Sequence, residues 1–172
     1  NAIDALSQLM TVNVVAHDDG TVSVIGDGTS LVDRATPTRL SVTGSGSNVG
    51  VMDSSGRMID SVGGSMGGAI DLIDRKVPAI RAQLDLLAAS LVTEVNAIHR
   101  TGYTATGATN TDFFDPTRLT AGTIKLTDAL LNSSGAVAAG GSNLAGDGSV
   151  ALLLGQLGGS SLALLGNRSF RD

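Results

Sequence analysis

The chain predicts an α+β fold, a small antiparallel β-rich domain plus a long helix of the kind that belongs to a helical bundle. Two observations carry this. Through the first sixty residues, apolar and polar side chains alternate between Asp-Gly and Gly/Ser turns, the period of half-buried strands. From residue 67 to 99 the period lengthens: Ile70, Ile73, Val77, Ile80, Leu84, Leu87, Leu91, Val95 and Ile98 recur three and four apart, marking one face of a helix at near-heptad spacing. Composition adds a bound on the core. With 23 Gly, no Trp, one Tyr and three Phe in 172 residues, it must be built from Leu, Val, Ile and Ala.

In chain order, Ile3, Leu6, Leu9 and Met10 are spaced like the last turns of a helix that began upstream. Val12, Val14 and Ala16 then alternate against Val22 and Val24 across His17-Asp18-Asp19-Gly20-Thr21. Asp-Gly supplies the positive dihedrals of a tight hairpin there. Gly26, Gly28 and Ser30 interrupt the pattern before Leu31-Val32. Residues 39–43 form a strand candidate, followed by a Gly/Ser loop over 44–50. A second hairpin is expected around Asp53-Ser54-Ser55-Gly56. In the long helix, Asp71, Asp74, Arg81, Asp85 and Glu94 lie off the apolar stripe and read as a solvated side. Pro78 predicts a kink or a restart, because it deletes a hydrogen bond and strains the preceding turn. Beyond the helix, residues 123–126 read as a strand and 136–146 as a small-residue loop. A short apolar helix then covers 150–157, with Asp147 capping its start. The organisation expected is therefore 1–62 β-rich with a short leading helix, 63–103 long helix, and 104–172 irregular with a C-terminal connector.

Charge and composition exclude several functions. A net charge of -5 argues against a nucleic-acid partner, which needs clustered Lys and Arg. The absence of cysteine excludes disulfides, thiolate catalysis and cysteine-ligated metal. No apolar run approaches the length of a membrane span, and no signal peptide is visible. The chain opens on Asn1 rather than Met, so it reads as an excised piece of a longer protein.

Motifs with catalytic precedent give little. Gly63-Gly64-Ser65-Met66-Gly67 matches G-x-S-x-G and precedes a helix, and His99 follows downstream, so a serine hydrolase using Ser65 and His99 can be written. The parallel sheet that holds such a nucleophile is missing, and the alternative is a flexible joint at a helix start. His17 sits in a hairpin turn. His99 lies at a helix end, where it suits the negative pole of the dipole. Asp18-Asp19 lacks the spacing of a calcium loop. Gly44-Ser45-Gly46 has no following helix to bind phosphate. No catalytic, cofactor-binding or metal-binding residue is assigned, and no cofactor is expected.

Residues 84–103, Leu-Asp-Leu-Leu-Ala-Ala-Ser-Leu-Val-Thr-Glu-Val-Asn-Ala-Ile-His-Arg-Thr-Gly-Tyr, closely resemble the flagellar hook-associated protein 1 family. There, a helix ending in a similar "LA..L...VN..H..G" pattern leads to a Gly-containing loop and a paired Phe, here Phe113-Phe114. Residues 3–24 are similar to the family's passage from a helix into its sheet domain. Residues 136–157 are similar to its "IAA...GDN..AL.L..L" region, with Gly148 in place of the usual Asn. Residues 166–172 look like the linker before its return helix. The resemblance implies a structural protein at the junction of hook and filament, secreted by the flagellar type III apparatus without a cleaved signal peptide. It implies self-assembly into a homo-oligomer, contacts with hook protein and other hook-associated proteins, and neither catalysis nor membrane insertion.

On that reading the apolar stripe seeks partners outside this chain, so the isolated chain should self-associate or have a mobile helix end. Its interface candidates are Ile73, Val77, Ile80, Leu84, Leu87 and Leu91. Two rival readings are a secreted adhesin-like binding module, suggested by the Gly/Ser/Thr-rich sheet, and the Ser65/His99 hydrolase.

Overall fold

The computed structural model describes residues 1–171; Asp172, the last residue of the expected connector, lies outside the described residues. The chain forms two compact units, the first ending at Ile80 and the second starting at Arg81. A mixed α+β fold results, with two antiparallel sheets and a long helix.

In the first unit, α1 (Ala2–Leu9) starts at Asn1, whose side-chain oxygen accepts from the Ile3 and Asp4 N–H groups. Strands β1 (Asn13–Ala16), β2 (Val22–Gly26), β3 (Thr29–Asp33) and β4 (Thr36–Pro37) form one antiparallel sheet in that order. The expected β1–β2 hairpin is present, pairing Ala16 with Val22 and Val14 with Val24. Residues 26–30, read as an interruption, are instead a second hairpin. Asp27 (φ 48°) and Gly28 (φ 70°) make the two-residue turn whose twist suits a strand pair.

Strands β5 (Leu40–Ser45), β6 (Asn48–Asp53) and β7 (Met58–Ile59) form the second sheet. The anticipated Gly/Ser loop shrinks to Gly46-Ser47, because Ser45 pairs with Asn48 and Gly44 with Val49. The Asp27 carboxylate ties the sheets together by accepting from the Asp60 and Ser61 N–H groups at 2.9 and 3.1 Å. Met10, Val24, Leu31, Val51, Ile59 and Val62 form the buried core, with Met66 and Ile70 of the long helix packed on it.

The long helix comprises α2 (Gly64–Asp71), a π-helical turn (Leu72–Lys76) and α3 (Val77–His99). Pro78 thus sits just after a widened turn. The Val77 N–H reaches back five residues to the Leu72 carbonyl. An α-turn would press the proline ring against the Asp74 carbonyl and leave it without a donor, and the wider turn relieves that conflict.

The second unit has no strand among its described residues. Residues 123–126, expected to be a strand, make only an isolated bridge between Leu126 and Phe114, while Thr123 and Ile124 bond back to Thr120 in a local turn. Two helices follow, α4 (Asp128–Asn132) and α5 (Ser149–Gln156). Asp147 accepts from the Ser149 N–H at the start of α5, as expected, and also from the Ser142 N–H and hydroxyl.

Asp147 is one of four aspartates that close turns by accepting from the residue two ahead. The others pair with Thr21, Ser55 and Thr117. These bonds hold Asp19, Asp53 and Asp115 below the usual carboxylate range, each chiefly through the hydroxyl. Asp147 is held well below it by the Ser142 hydroxyl and then the Ser149 N–H. Depressed folded-state values mean that the stabilisation is complete above about pH 4, the unfolded value, and is lost as pH falls through the folded ones. The melting temperature should therefore hold from pH 7 to about pH 5 and drop below about pH 4. Asp53→Asn should melt lower than the parent at pH 7 and lose most of that difference at pH 2.5; a constant difference would rule out this origin of acid sensitivity.

Candidate functional site

The apolar stripe of the long helix is where sequence and structure meet most informatively. Within the first unit Ile73, Val77 and Ile80 are exposed, Ile80 by 56%. Within the second, Leu84 and Leu87 are exposed by 48% and 42%, while Leu91, Val95 and Ile98 are half-buried. Burying a side chain of this size fully is worth about 1.5–3 kcal/mol, so covering any of these side chains would be favourable. Beside Ile73, an apolar hollow of about 190 Å³ opens between the second sheet and the helix, lined by Val42, Val49, Met66 and Ile70.

Of the side read as solvated, Arg81 is exposed as expected, whereas Asp71, Asp74, Asp85 and Glu94 are half-buried. Asp74 accepts from the Val49 N–H at 3.0 Å, fixing the helix to β6, and Asp85 accepts from the Ala121 N–H at 2.8 Å. Asp71 pairs with Arg75. Further along, Ala88, Val92, Asn96 and His99 form the buried line. Hydrophobic spacing missed this line because two of its members are polar and one is alanine.

Asn96 and His99 form a polar clamp. Asn96 is 2% exposed; its Oδ1 accepts from the Phe113 and Phe114 N–H groups at 3.0 and 2.8 Å, and its Nδ2 donates to the Phe114 carbonyl at 2.9 Å. His99 is fully buried. Its Nε2 accepts from the Ala138 N–H at 2.8 Å, so the proton lies on Nδ1, which donates to the Thr111 carbonyl at 2.7 Å. The Phe113 ring meets the imidazole edge-on at 5.4 Å between centroids. Gly102 completes the arrangement, since a Cβ there would lie 2.8 Å from the Ala138 carbonyl oxygen. The asparagine, histidine and glycine of the helix-ending pattern are therefore a backbone-holding device. His99 acts as a neutral donor and acceptor, not as a cation at the helix dipole. The pattern was legible, but its chemistry required the loop's position.

With both ring nitrogens bonded, His99 has none left to activate Ser65. The G-x-S-x-G stretch has its own explanation. Gly63 and Gly64 have φ of 63° and 55°; a Cβ on Gly63 would lie 2.0 Å from the Thr11 hydroxyl, and one on Gly64 2.6 Å from the Leu9 carbonyl. The glycines let the chain leaving α1 pass against the start of α2, a close-packed contact where a flexible joint was expected. His17 also has a partner: its Nε2 meets the Ser23 hydroxyl at 2.8 Å, and Ser23 donates to Asp33 at 2.9 Å. Ser23 gives its proton to the carboxylate, so the histidine is donor there and not a base. No cluster of three or more metal-ligating side chains occurs among the described residues. None of the described helices is long and apolar enough to cross a membrane.

Comparison with known proteins gives this geometry a family. The solved structure of the flagellar hook junction protein FlgK from Burkholderia pseudomallei is similar at 25% identity with a TM-score of 0.54. The similarity covers 66% of this chain and 23% of that protein, so this chain spans about a quarter of its length. No curated protein sequence matches. The family model of the flagellar hook-associated protein FlgK helical domain matches residues 1–114, from α1 through the clamp to Phe114. The chain belongs to the FlgK helical domain family of flagellar hook-associated proteins.

Proposed function

We propose that this chain is part of a structural protein joining hook to filament in the bacterial flagellum, acting through axial contacts and self-assembly rather than catalysis. The observation that carries this reading is the exposed apolar side chains of the long helix, Ile73, Val77 and Ile80 in the first unit and Leu84 and Leu87 in the second, beside Asp74 and Asp85, which are already bonded within their own units. Such a face suits a helical bundle completed by segments or subunits outside this chain. Leu91, half-buried, continues the row toward the clamp. The partners fitting this role are further copies of the protein, hook protein and other hook-associated proteins, met after export through the flagellar type III apparatus.

The test is made in the source bacterium with the full-length protein. Ile80→Glu with Leu84→Glu should leave the fold within about 0.5 kcal/mol of wild type, since both sites are exposed, yet abolish filament attachment. Immunogold labelling should mark a narrow band where hook meets filament, and a deletion strain should lack filaments. Normal filaments in the double variant would remove the stripe as an interface. Diffuse envelope labelling with intact filaments would favour an adhesin instead.

A further inference from the structure

The four-stranded sheet ends in two unlike edges. β4 is two residues long and contains Pro37, both features that discourage further pairing. β1 carries no charge and is exposed along its whole length, with Val14 and Val15 open on opposite faces. Antiparallel pairing alternates. Because the His17 N–H bonds the Thr21 carbonyl at the hairpin end, Asn13 and Val15 turn their backbone groups toward β2, and Val14 and Ala16 turn theirs outward. Among the described residues no strand pairs with this edge of β1. In the second sheet the edge strand β5 carries Gly44 at φ 90° next to the β5–β6 turn.

We propose that β1 is an interaction surface for a second copy of this chain, the two β1 strands pairing antiparallel about a two-fold axis at Val14. The strand is complementary to itself in that register. Val14 meets Val14 with both N–H and C=O turned outward, so the pair exchanges two hydrogen bonds; Val12 meets Ala16, and Asn13 meets Val15. Apolar side chains adjoin on one face, and no like charges oppose each other within the strand. The proposal is independent of the helical stripe, which uses other residues.

Sedimentation of the 172-residue chain over a concentration series should show a monomer–dimer equilibrium. Val14→Pro removes an outward N–H while leaving the bonds to β2 in place, and should weaken dimerisation at least tenfold with an unchanged far-UV spectrum. Leu84→Glu should leave this dimer intact. The chain has no cysteine, so Val14→Cys introduces one thiol. In the paired register the Cα atoms lie about 5.5 Å apart, within disulfide reach, and mild oxidation should link that variant into a covalent dimer. Val42→Cys, on the β5 edge, should remain uncrosslinked. A monomer at every concentration, a dimer indifferent to Val14→Pro, a dimer abolished by Leu84→Glu, or equal crosslinking of the Val42→Cys variant would each overturn the proposal.

Discussion

Replacing Asn96 with leucine is expected to destabilise the second unit by about 4 kcal/mol. Leucine nearly preserves the volume, so the loss is one of hydrogen bonding. The Phe113 and Phe114 N–H groups and the Phe114 carbonyl lose their side-chain partner. An unsatisfied buried group costs about 1–3 kcal/mol, and partial access to water keeps the total below the simple sum. His99→Phe should behave similarly at about 3 kcal/mol, since it retains the ring beside Phe113 but orphans the Ala138 N–H and the Thr111 carbonyl. The readout is favourable. The only tyrosine, Tyr103, and all three phenylalanines lie beyond residue 80, so near-UV dichroism in urea follows the second unit alone. Asn96→Asp, which keeps an oxygen to accept from the two N–H groups, should fall between leucine and wild type. A shift below about 1 kcal/mol for Asn96→Leu would mean that the clamp is geometrically present but energetically idle.

Gly64→Ala should destabilise the first unit by about 3 kcal/mol. Left-handed backbone costs alanine roughly 1–2 kcal/mol, and its Cβ would lie 2.6 Å from the Leu9 carbonyl carbon and oxygen, where backbone rather than a pliable side chain must yield. Gly68→Ala is the matched control. It lies in the same helix, meets no atom within 4 Å, and lacks a positive φ, so alanine should stabilise by up to about 1 kcal/mol. Far-UV dichroism and amide exchange in β1–β7 follow this unit, which contains no aromatic residue other than His17. If both substitutions act alike, the glycines are only helix breakers and the close passage against α1 carries no weight.

The sequence was most readable where hydrophobic period and turn chemistry agreed. The β1–β2 hairpin, with Gly20 at φ 80°, and the long helix both follow from local pattern. It was less readable where small residues were taken for loop. Gly44 and Asn48-Val49-Gly50 are paired strand residues, because the second sheet needs little side-chain bulk at that end. The Asp27-Gly28 turn was hidden by a register shift between Val24 and Ile25, which breaks strict alternation. At the candidate site, the exposed stripe was visible because it is apolar. Asn96 was legible only as part of the helix-ending pattern, and nothing local reveals that three backbone groups some seventeen residues later converge on it. Buried polar residues are satisfied by partners distant in sequence, so spacing alone does not identify them.

The π-helical turn has a consequence for how this helix reads its own sequence. Counted by residue, Ile70 and Val77 are seven apart and should share one azimuth. The widened turn takes up one residue without advancing the winding, a phase slip of about 100°. Ile70 accordingly packs on the core while Val77 and Ile80 face outward. The first unit thus runs a single unbroken helix in two frames, one addressed to its own sheets and one to the outside. Pro78 is the residue that keeps the two frames from merging.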